Sequence, residues 1–165
     1  MEKTLFKTYK EEVLADALSL GFDISQIESF ELARMPWHRF GECRQSMKTG
    51  KYTVSINEKD FMDKRMTRKL CLRLFMHEVC HTQKGCLDHG KEWENAASLA
   101  EKAFPDKYEG IIDNSCGTDL QYALASYLFR CPVCGYVYGT RSRNDRAMRG
   151  KALCAHCRSP LERML

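Results

Sequence analysis

Apolar positions recur at helical spacing near the start of the chain, at Leu5, Phe6, Tyr9, Val13, Leu14, Ala17 and Leu18. At 3.6 residues per turn they share one face, which predicts an amphipathic first helix stopped at Gly21. Phe30–Met35 reads as a strand ahead of Pro36. Lys48-Thr49-Gly50 reads as a turn, and Tyr52–Ile56 alternates as a strand does. From Thr67 to Gln83 neither proline nor glycine interrupts the run, and Leu70, Leu74, His77 and His81 form one stripe; Gly85 is the expected stop. A second helical pattern opens at His89 and repeats through Trp93, Ala97, Ala100 and Phe104 until Pro105. The polar stretch Asp106–Thr118, with its glycines, reads as a linker. Ala123–Arg130 is aromatic and predicts a strand leading into a cysteine pair. The pattern divides the chain into residues 1–105, a linker over 106–121, and a small module over 122–165.

Chemistry enters with His77-Glu78-Val79-Cys80-His81. Two histidines four apart on a helix point the same way and can share one zinc ion. Glu78, one step past the first ligand, is placed to take a proton from a water held by that zinc rather than to bind the metal. A reversal through Gly85 brings His89 back as a third ligand and leaves a fourth position open. Cys86 is a competitor to His89 for that place, and Cys80, beside the stripe, reads as core. Such a site points to metal-assisted hydrolysis, most often of a peptide bond.

Cys131-Pro132-Val133-Cys134 and Cys154-Ala155-His156-Cys157 carry the second motif. Two such pairs separated by a linker of this size predict a structural four-cysteine zinc site, with Gly135 easing the first turn. His156 could replace a cysteine, but four thiolates already close the shell. A module this small buries too little apolar surface to fold unaided, so the metal is expected to stabilise it.

The stretch HEVCHTQKGCLDHGKEW resembles the active-site segment of SprT-like metalloproteases, the family that includes bacterial SprT and the eukaryotic protease Spartan. The family pattern falls on His77, Glu78, His81, His89, Gly90 and Trp93. Trp37, Gly41 and Cys43 resemble the family's upstream turn, and Tyr52–Asn57 resembles the strand after it. The paired cysteines are similar to the zinc ribbon of many bacterial members. The resemblance runs from about Phe30 onward, although the loop between His81 and His89 is shorter than in Spartan-like members. It implies an α+β fold, with a small zincin-like protease domain followed by a β-rich four-cysteine zinc ribbon. It also implies proteins attached to or near DNA as substrates.

Composition changes the picture at two points. Nine cysteines cannot all pair, and this usage suits a reducing cytosol; the charged N-terminus lacks a signal core and charges break every apolar run, so a cytoplasmic protein without membrane contact is expected. Charge is also uneven. From Leu128 to the end, eight basic residues face only Asp145 and Glu162, in a chain whose net charge is +4. Arg141, Arg143, Arg146 and Arg149 lie between the cysteine pairs, with Tyr136 and Tyr138 beside them. That predicts a surface for DNA, single-stranded or duplex.

The expected protein is therefore a zinc endopeptidase with two zinc ions per chain, one catalytic on His77, His81 and His89, one structural on Cys131, Cys134, Cys154 and Cys157. The competing reading is a non-catalytic zinc protein that binds nucleic acid; Glu78 speaks against it, because a structural site does not need that residue. Tyr52–Asn57 is the candidate edge strand for an extended substrate. His38, Tyr52 and Tyr108 are candidates for stabilising the oxyanion.

Overall fold

The computed structural model describes residues 2–36, 38–112, 115–141, 143 and 145–164. Trp37, which carries part of the family resemblance, lies outside them. The chain is mixed α and β and divides into two compact units, Met1–Gly117 and Thr118–Leu165.

In the first unit, α1 (Glu2–Ser19) ends where Gly21 takes a positive φ of 80°. A single 3-10 turn leads into β1 (Ile27–Ala33), followed by β2 (Gly41–Gln45) and β3 (Tyr52–Asn57). The strand order is β1-β3-β2, with β1 parallel and β2 antiparallel to β3. β3 is thus the central strand. The expectation that Tyr52–Asn57 is an edge strand is overturned, because both its edges are already hydrogen-bonded. β2, unpredicted as a strand, pairs only with β3 among the described residues.

The short α2 (Glu58–Phe61) precedes α3 (Arg68–Cys80), whose N-cap Thr67 accepts a hydrogen bond from the Leu70 amide. α3 is buried nearly all round rather than along one stripe. Phe75 meets Phe6 of α1, Phe30 of β1 and Phe61 of α2 at centroid distances of 5.2–6.0 Å, so one aromatic cluster ties helices to sheet. Val54 and Ile56, on the inner face of β3, are fully buried. α4 (Lys91–Ala103) buries Trp93, Ala97 and Ala100.

The first part of the expected linker, residues 106–112, is packed structure. Pro105 does not merely end α4; it opens α5 (Pro105–Tyr108), since the first helical residue needs no amide hydrogen. Tyr108 and Ile111 are fully buried, and the Tyr108 hydroxyl donates to Asp16 at 2.6 Å. The boundary between units falls inside α6 (Ser115–Ala123).

The second unit holds a three-stranded antiparallel sheet of β4 (Tyr127–Arg130), β5 (Val137–Thr140) and β6 (Glu162–Arg163), in the order β5-β4-β6. Among the described residues no helix is long and apolar enough to cross a membrane.

Candidate metal centres

Among the described residues, two groups of side chains could hold a metal ion: His77, His81 and His89 in the first unit, and Cys131, Cys134, Cys154 and Cys157 in the second. His77 lies in the last turn of α3 and His81 is its C-cap, so the four-residue spacing aligns them as expected. His89 does not lie on α4. Gly90 is the N-cap of that helix, held by its amide bond to Asp88 Oδ1 at 3.1 Å, and His89 occupies the turn just before it. The chain reverses through Gly85, at a φ of 80° that favours glycine.

The three imidazoles converge through one kind of atom. Nε2 of His89 is 3.0 Å from Nε2 of His77 and 3.2 Å from Nε2 of His81. Three nitrogens at tetrahedral positions about 2.0–2.1 Å from a zinc ion are separated by about 3.3 Å, so the donor set fits that metal. Burial, joined by the neighbouring histidines, holds the His77 imidazole down to about 3, and burial lowers His81 as well. For these two imidazoles burial favours the neutral form that metal binding needs. His81 Nδ1 is 2.6 Å from the Cys86 carbonyl; it donates there, which leaves the Nε2 lone pair free. Cys86 thus serves the site through its backbone, and its thiol is outside the histidine group. His77 Nδ1 is buried without a hydrogen-bond partner.

Glu78 is almost fully buried between α3 and β2. A Cβ at Gly41 would lie 2.6 Å from its Oε1 and 2.9 Å from its Cγ, so the edge strand approaches the carboxylate as closely as only glycine allows. Asn57 fixes this approach: its Nδ2 donates to the Arg39 carbonyl at 2.8 Å and its amide to the Phe40 carbonyl at 2.8 Å. Burial pushes the Glu78 carboxyl up to about 8, with Glu42 adding and Arg39 opposing. Position and elevated basicity both suit a proton acceptor. The sequence pattern alone gives Gly41 no role at the site; its place in the upstream turn is the one signal that points to it.

Trp93, in the first turn of α4, contacts all three histidines. Its ring centroid is 4.8 Å from His77, 4.6 Å from His89 and 5.5 Å from His81, the last nearly parallel at 29°. Beyond the cluster, a groove of about 660 Å³ is lined by Gln45 at the end of β2, Tyr52, and Gln83, Leu87 and Asp88 of the turn. Of the oxyanion candidates, Tyr52 lines this groove, whereas the Tyr108 hydroxyl is committed to Asp16.

The cysteines of the second unit come from two matching tips. The Cys131 amide bonds the Tyr136 carbonyl and the Cys154 amide bonds that of Ser159, both at 2.8 Å. The residue after each second cysteine has positive φ: Gly135 at 75° and Arg158 at 64°. Sulfur separations of 3.4 Å (Cys131–Cys157 and Cys134–Cys154) and 3.6 Å (Cys134–Cys157) are far beyond a disulfide bond of about 2.0 Å and near the spacing of thiolates about 2.3 Å from a shared ion. His156 is outside the group; its ring packs on Tyr136 at 4.4 Å.

The four arginines between the tips do not form one cluster of equivalent groups. Arg146 lines a pocket of about 420 Å³ with Tyr136, Lys151 and Arg158. Arg143 instead donates from Nε to the Tyr127 hydroxyl at 2.9 Å. Arg141 and Arg149 do not line that pocket. No protein-family model, curated protein or solved structure matches the chain.

Proposed function

We propose that the chain is a zinc-dependent endopeptidase of the SprT-like kind. The observation that carries the reading is the convergence of three imidazoles beside a buried carboxylate seated against Gly41 of the edge strand β2. His77, His81 and His89 would hold a zinc ion, which would supply a lowered pKa for bound water and polarisation of a carbonyl. Glu78 accepts a proton from the attacking water as its oxygen adds to the peptide carbonyl carbon. It passes that proton to the leaving nitrogen as the C–N bond breaks, which yields a carboxylic acid and an amine. An extended polypeptide has a place to lie, because the free edge of β2 runs from Gly41, against Glu78, to Gln45 at the groove. Main-chain pairing there supplies affinity with little sequence preference. The test is cleavage of an unfolded protein, lost on chelation and restored by zinc; a chelator-insensitive or absent activity refutes the reading.

Gly41 provides a second check. Gly41→Ala forces the Glu78 carboxylate away from β2. Displacement by about 1 Å costs on the order of 100-fold in turnover. Zinc content should be unchanged, since no ligand moves. Turnover at the wild-type level shows that Glu78 does not need this seat.

DNA as a partner is supported by the pocket of Arg146, Lys151 and Arg158 beside Tyr136, which offers charge to phosphate and a ring to a base. Alanine at Arg141, Arg143, Arg146 and Arg149 is expected to weaken binding across sequences. It should also flatten the salt dependence, by about 0.7–0.9 in log–log slope for each phosphate that is no longer neutralised. Cleavage of a free peptide should stay constant. A fluorescence-anisotropy salt titration that superimposes variant and wild type shows that these arginines do not contact phosphate.

A further inference from the structure

The three histidines reach their common point with little to hold them there. Among the described residues His77 Nδ1 has no hydrogen-bond partner. His89 lies on an exposed turn, and its polar contacts are the other two imidazoles. Among the described residues, only His81 is oriented by a carbonyl, that of Cys86. In metal sites the second nitrogen of each ligating histidine is usually tied to such an acceptor, which fixes ring orientation. Something else must keep the rings together.

The shared neighbour is Trp93. It is 2% exposed, and its ring meets all three imidazoles within 5.5 Å. Its Nε1 is buried without a partner, so hydrogen bonding does not explain why an indole occupies the position. Its ring contacts do: it stacks on His81 at 29° and meets His77 and His89 edge to face at 62° and 82°.

We propose that Trp93 is a positioning residue: its buried indole is the platform that holds His77, His81 and His89 converged before a metal arrives. This inference rests on reading the cluster as a metal site. It gives Trp93 a role apart from filling the core, because packing against three ligands takes the place of the missing orienting hydrogen bonds.

The test uses the full chain loaded with cobalt(II), and subtracts the spectrum of His81→Ala, which retains only the four-cysteine site. Trp93→Leu keeps an apolar side chain but removes the aromatic face. Loss of an orienting partner typically costs about 10–100-fold in metal affinity, so release of cobalt from the histidine site to a chelator should accelerate by that factor. Its d–d bands should change as well. Trp93→Phe, with a smaller ring, should fall between Leu and wild type. The four-cysteine site should be unaffected in both. Wild-type release rates and bands in Trp93→Leu and Trp93→Phe overturn the proposal and leave Trp93 as core; if Trp93→Leu does not fold, Trp93→Phe decides alone. Absence of cobalt from the histidine site of the wild type is a different result, and refutes the metal reading itself.

Discussion

Glu78→Gln is expected to leave a folded, metal-loaded protein whose peptide hydrolysis is lower by about 10²–10⁴-fold, the range a general base contributes. Glutamine keeps the shape of the side chain against Gly41 but cannot accept the proton. The same substitution should have an opposite effect on stability. Burial raises the Glu78 carboxyl from 4.5 to about 8 in the metal-free fold. Between those values the unfolded chain releases a proton that the folded chain retains. Stability from this group is therefore complete below pH 4.5 and is lost as pH rises through 8, whereas the glutamine variant has nothing to lose there. In chelator, Glu78→Gln should be more stable than wild type by a few kcal/mol at pH 8, and the difference should close towards pH 4.5. Zinc, by favouring the carboxylate, should narrow the gap at high pH. Denaturant melts at both pH values check the second claim, and single-turnover cleavage checks the first. A variant that cleaves at the wild-type rate removes Glu78 from the mechanism.

What is legible in the sequence is local. His77 and His81 align because helical spacing alone aligns them, and the return of His89 follows from a short loop with Gly85 at its turn. The cysteine tips are likewise written in spacings of a few residues. What escapes depends on distant pairing. Gly41-Glu42-Cys43-Arg44-Gln45 carries no apolar alternation, because it is an edge strand held by the backbone of β3 and by Asn57. With that strand hidden, the pattern leaves Tyr52–Asn57 to be taken for the free edge. Pro105 signals an end in the sequence when it is also a beginning, and the polar surroundings of Tyr108 and Ile111 hide two core residues. The positive φ of Arg158 has no sequence signal, since glycine stands at the equivalent position in the first tip. The grouping of charges is also invisible: Arg146 is brought beside Lys151 and Arg158 by the fold of the tips, while Arg143 turns to Tyr127.

Purified protein should carry two zinc ions per chain, and the two should be lost independently. His81→Ala removes one Nε2 from the converged trio and the Cys86 carbonyl bond that orients it, so the first unit should lose its ion and all cleavage. Yet the aromatic cluster around Phe75 contains no ligand, and the unit should stay folded. Cys131→Ser should have the larger structural effect. Among its described residues the second unit, Thr118–Leu165, buries few large apolar side chains: Leu120, Leu124 and Phe129 are fully or almost fully enclosed. Such a core does not offset the entropy of ordering the chain. Zinc binding in small modules contributes about 10–16 kcal/mol, and a serine in place of a thiolate forfeits most of it. The second unit should therefore unfold, exposing its backbone to hydrogen exchange, while the first keeps its zinc and its ability to cleave a free peptide. Metal analysis with exchange mass spectrometry reads both outcomes. Loss of a single shared ion in both variants, or an ordered second unit without metal, refutes two separate centres.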